Sequence, residues 1–75
     1  MRQNAVGRVL WKAGEDSHFR RRFLANMGTA LAEEGFLLND EEMQTLRELW
    51  ETFGRLEDRP AQERILAIAR ARYRR

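Results

Sequence analysis

Arginine is the residue type through which this chain could do the most chemistry. Arg20, Arg21 and Arg22 stand in one block, and Arg70-Ala71-Arg72-Tyr73-Arg74-Arg75 sets four arginines around one aromatic ring. Guanidinium groups neutralise phosphates, grip carboxylates through paired bonds and stack on rings, which is the chemistry of docking on another macromolecule. The same arginines also read as solvated helix faces, those at the C-terminus matched to the helix dipole. Groups able to make or break bonds are few. There is one histidine, His18, and no cysteine. His18 reads as a solvated residue in the first turn of a helix. Asp40-Glu41-Glu42 reads as the acidic first turn of another. The sequence holds no H-E-x-x-H, no G-x-S-x-G and no glycine-rich phosphate loop. A protein that is not an enzyme is expected, with no metal and no cofactor. A domain this thin is also not expected to wall a pocket of the usual size.

The charge is unevenly spread although its net value is only +2. From Arg59 onward six arginines face one acid, Glu63, whereas from Glu33 to Asp58 nine acids face two arginines. Such segregation bears on partners and association. It argues against nucleic acid as the first partner, because the acidic middle would repel a polyanion. Most aromatic residues (Phe19, Phe23, Phe36, Trp50, Phe53 and Tyr73) sit at helical spacing and read as core. Trp11 lies off the apolar stripe of its own helix. An exposed Trp11 beside Leu24 or Leu66 would anchor a partner, since Trp and Arg dominate interface energetics.

The elements that must position these residues are helices. Leu, Ala, Arg and Glu dominate, one proline occurs, and no stretch alternates with a period of two. The pattern predicts an all-α fold, a compact bundle of about five short helices over 4–13, 16–27, 29–34, 39–54 and 60–73, in a single domain 1–75. Val6, Val9, Leu10 and Ala13 make the first apolar face, and Gly14 is expected to stop that helix. Asp16 or Ser17 caps the second, whose stripe is Phe19, Phe23 and Met27. Leu31 anchors the third and Gly35 ends it. Phe36-Leu37-Leu38 reads as a buried extended joint. Asn39 and Glu42 form an Asx variant of the capping box for the fourth helix, with Met43, Leu46, Leu49, Trp50, Phe53 and Leu56 on one arc. Pro60 suits the first turn of the fifth, whose face is Ala61, Ile65, Leu66, Ile68, Ala69 and Tyr73.

The order Val9-Leu10, Ala13, Asp16, Phe19-Arg20, Phe23-Leu24, Ala25-Asn26, Ala30-Leu31, Gly35-Phe36, Leu38, Asn39, Glu41-Glu42 and Leu46 resembles the helical leader domains of the nitrile-hydratase-leader-peptide clan and the related nitrogen-fixation-operon leader peptides. It is also similar to the small helical subunit of protocatechuate 4,5-dioxygenase type enzymes. The likeness covers a little over half the chain and rests on spacing and residue type. It implies a docking role: leader domains seat on a modifying enzyme in ribosomal peptide natural-product biosynthesis, and the small subunit packs over a catalytic one. Precursor members carry a Gly-Gly-type cleavage site and a core peptide rich in Cys, Ser or Thr. Neither is found here, so an accessory, leader-like protein is expected.

Three readings follow. The first is a helical protein that docks on a protein partner, a modifying enzyme or larger subunit, through Trp11, Arg20, Arg21, Arg22, Phe36, Leu37, Arg70 and Arg74. The second is a small nucleic-acid-binding or regulatory protein using the C-terminal arginines. The third, compatible with both, is a homo-oligomer that buries Leu49, Leu56 and Leu66. Nothing approaches the roughly 18 apolar residues of a membrane span, and Met1 to Trp11 lacks a secretory apolar run, so a cytoplasmic protein is expected.

Overall fold

A computed structural model describes residues 4–74. The helices are α1 (Ala5–Glu15), α2 (Ser17–Ala25), α3 (Met27–Glu33), α4 (Asp40–Phe53) and α5 (Asp58–Arg72). Each of the first four opens on a side chain that receives its free amides. Asn4 accepts from the Val6 N–H at 2.7 Å, and Asp16 from His18 and Phe19 at 2.9 and 3.0 Å. Asn26 accepts from Thr29 at 3.1 Å. At α4 the expected capping box forms: the Glu42 N–H donates to Asn39, and the Asn39 N–H donates to Glu42. The fifth helix opens on Glu57 without a side-chain cap and carries Pro60 in its first turn.

Packing follows the apolar stripes. Val6, Val9, Leu10 and Ala13 meet Phe19, Phe23, Leu31, Leu46, Phe53, Ile65 and Ala69 in one core. The result is an all-α globule of 31 × 25 × 20 Å with no strand among the described residues. The longest seam runs between α1 and α5. Both tryptophans sit half-buried at helix ends and satisfy carbonyls there. The Trp50 indole N–H donates to the Phe23 carbonyl at 3.1 Å, and the Trp11 indole N–H to the Tyr73 carbonyl at 2.6 Å.

Two junctions differ from expectation because one polar side chain closes a helix and caps the next, and α5 begins at Asp58, two residues before the expected 60. Gly14 does not end α1, which runs on to Glu15, with Asp16 closing it and capping α2. Asn26 likewise splits the expected 16–27 helix and starts α3 at Met27. Gly14 instead serves the α1–α5 seam. A Cβ there would come within 2.8 Å of the Leu66 Cγ, and at Gly7, two turns earlier, within 2.8 Å of the Tyr73 Cβ. Alanine at an ordinary helix position gains about 1 kcal/mol over glycine. Overpacking this seam costs about 1–3 kcal/mol. Gly14→Ala is therefore expected to lower the urea midpoint, with a net loss of about 1 kcal/mol; a raised midpoint would count against this seam.

Candidate docking surface

The turn between α3 and α4 is held at both ends. Gly35 adopts φ 74°, a left-handed conformation that glycine takes without steric cost. The Phe36 N–H then bonds the Leu31 carbonyl at 3.0 Å and the Gly35 N–H the Ala32 carbonyl at 3.1 Å, the paired bonds of a Schellman closure. On the far side the Asn39 capping box fixes the chain again. Phe36 packs its ring 6.0 Å from Phe19, and Leu38 also leans on the core. Leu37, between them, is 89% exposed. The expected buried joint is thus buried only in part. Phe36 and Leu38 are half-buried, and Leu37 points outward because its two neighbours use the inward directions.

The arginine block does not act as one surface. Arg20 is 3% exposed. Its Nε and Nη2 donate to the two Asp58 carboxylate oxygens at 2.9 and 3.3 Å, and its Nη1 to the Ala13 and Gly14 carbonyls at 3.0 and 3.2 Å. It ties α1, α2 and α5 together, which corrects its expected place on a partner-binding face: position 20 lies one turn before Phe23 on the inward side of α2. Arg22 is half-buried and bonds Glu33 and Glu34 at 2.7 and 3.2 Å. Arg21 is exposed. Trp11, expected to be exposed, is half-buried on the core with its indole committed to Tyr73. Arg70 and Arg74 are exposed on and just past α5. Of the eight residues proposed from sequence, Phe36 and Leu37 share one turn, the α2 arginines point in different directions, and Arg70 and Arg74 mark a separate face.

The ion pairs set the response to acid. Asp58 is held below its ordinary value first by the Arg20 guanidinium, and Glu34 first by the bond from Arg22, then by Lys12. Asp16 is lowered chiefly by the Phe19 backbone N–H. A carboxylate with a depressed folded pKa contributes stability above its unfolded value, near 4, and loses it as pH falls through the folded one. The urea midpoint should therefore stay level down to about pH 5 and then decline progressively. A midpoint unchanged at pH 2 would show that these pairs contribute nothing.

Sequence reasoning missed two features. Asp58, the partner of Arg20, lies 38 residues away, and its only signal was its place at a helix start. The second is a hollow of about 360 Å³, open on one side and lined by Ala25, Asn26, Met27, Arg47, Trp50 and Glu51. The hollow is an open surface depression and not a walled pocket. Among the described residues no group of three or more His, Cys, Asp or Glu side chains converges, and no helix is long and apolar enough to cross a membrane. Comparison with protein-family models, curated proteins and solved structures finds no match to this chain.

Proposed function

We propose that this chain is a non-catalytic helical protein that docks on a larger protein partner, a modifying enzyme or catalytic subunit, in the manner of leader-like helical domains. The observation that carries the reading is Leu37, an apolar side chain 89% exposed on a turn fixed by bonds on both sides. An isolated exposed leucine is ordinary. A rigid one differs, because the ordering entropy that weakens most loop contacts is already spent before binding. Leu37 would enter an apolar pocket on the partner, with Phe36 and Leu38 beside it. The order of residues from Val9 to Leu46, like that of the leader domains, supports the same role, and accessory work in ribosomal peptide natural-product biosynthesis is the setting it suggests.

The test is purification from the native host followed by reconstitution. A partner recovered in stoichiometric amount is purified and titrated with the wild-type chain and with Leu37→Asp. The substitution should leave helical content unchanged and weaken binding at least tenfold, the size expected of a central apolar anchor. Equal affinity of the two chains would remove Leu37 from the interface, and recovery of no partner would remove the docking reading.

A further inference from the structure

The charges of this chain are settled internally on one part of the molecule and left open on another. Around α1, α2 and α3, Lys12 bridges Asp16 and Glu34 at 3.4 and 3.3 Å, Arg22 holds Glu33 and Glu34, and Arg20 holds Asp58. On α4, Asp40, Glu41, Glu48 and Glu51 are exposed, and none forms an ion pair among the described residues. On α5 and one residue past its cap, Arg64, Arg70, Arg72 and Arg74 are exposed and equally without an ion pair. Opposite charges are thus present in one chain on two helices that do not satisfy each other.

We propose that α4 of one copy packs antiparallel against α5 of a second copy. Glu41, Gln44, Glu48 and Glu51 recur at helical spacing and form one outward stripe of α4. The outward side of α5 has the exposed Ala67 and Ala71 along its middle, Arg64 on one border, and Arg70 with the single acid Glu63 on the other; Arg74 follows just past the helix end. A neighbouring helix can come close over the alanines while the arginines reach around it.

The spacing fits one orientation. From Glu41 to Glu48 the chain rises about 10 Å, and from Arg70 back to Arg64 about 9 Å. Laid antiparallel, Asp40 and Glu41 come level with Arg70, while Glu48 and Glu51 come level with Arg64. The same orientation sets the acidic N-terminus of α4 against the basic C-terminus of α5, so the two helix dipoles attract. A nucleic acid would satisfy only the arginines and would be repelled by α4. A second copy satisfies both faces. The Leu37 turn takes no part.

Sedimentation velocity of the full chain tests this. At about 0.01 M ionic strength, where charges act over about 30 Å, the apparent mass should rise with concentration. At about 1 M, where the range is about 3 Å, it should return to the single-chain 8.9 kDa. Glu48→Arg with Glu51→Arg in one chain, and Arg64→Glu with Arg70→Glu in another, should each weaken association at least tenfold. Mixed together, the two variants should associate again, because each now offers the charge the other lost. Circular dichroism confirms that both remain folded, and Leu37→Asp should associate like the wild type. A single-chain mass at every salt concentration, a mixture no better than its components, or a single-chain mass combined with tight binding of duplex DNA at low salt would each overturn the proposal.

Discussion

Phe19→Ala is expected to destabilise this chain by about 3–5 kcal/mol, the usual range for deleting a buried phenylalanine ring. Phe19 is fully buried. Its ring centroid lies 5.6 Å from that of Phe23 and 6.0 Å from that of Phe36, and Phe23 lies 6.0 Å from Phe53. The four rings run from the Leu37 turn through α2 to α4, so removing Phe19 opens a cavity and unseats Phe36 together. A domain of this size has roughly 4–11 kcal/mol in total at the usual stability per residue. The variant should therefore be marginal at 25 °C, and its turn should lose order before its helices do. Urea unfolding measures the first effect, and amide exchange at Gly35 and Phe36 the second. A loss below about 1 kcal/mol would mean that the site collapses onto the gap, and the ring chain would not be what holds the turn.

Arg20→Ala should cost about 2–4 kcal/mol, while Arg21→Ala, one residue on, should stay within about 0.5 kcal/mol. The contrast comes from surroundings, since both are arginines in the middle of α2. Arg20 is buried and places its whole fork, donating to Asp58 on one side and to the last turn of α1 on the other. Truncation strips the Ala13 carbonyl of a side-chain donor, leaves Gly14 with Gln62 alone, and unpairs Asp58. Arg20→Lys should recover only part of the loss, because an ammonium group cannot bond a carboxylate through two nitrogens and still reach α1. Asp58→Asn should act in the same direction but more weakly, since that carboxylate is half in solvent. Thermal unfolding separates these cases: about 4–8 °C per kcal/mol is expected at this length. Equal melting temperatures for the Arg20 and Arg21 variants would contradict the buried bridge.

What could be read from the sequence divides along distance in the chain. The α4 capping box was legible because Asn39 and Glu42 are three residues apart and the physics is local. The same holds for Val6, Val9, Leu10 and Ala13, whose spacing alone sets them on one inward face. Gly35 was read correctly as a stop and Gly14 incorrectly as one. Both glycines close an apolar helical stripe, but Gly35 sits in open space at φ 74°, while Gly14 faces Leu66, more than 50 residues away in sequence. Arg20 looked like part of a solvated block because its carboxylate partner comes from the start of α5 and its carbonyl partners from the end of α1. Trp11 looked like an anchor because nothing near it in sequence reveals that the chain beyond α5 returns to accept its indole N–H. The Phe36-Leu37-Leu38 step was recognised as special for its composition. Which of its three residues faces water was decided by the Phe19 ring and the Gly35 closure.

The docking account stands most directly on where Leu37 points when the protein is at work. A photo-activated cross-linking residue placed at position 37 of the full chain, expressed in its native host, tests this, with the same residue at the exposed Glu57 position as control. The account predicts one discrete adduct with a larger protein from position 37 and none from position 57. No adduct from position 37, or the same adduct from both positions, would contradict it.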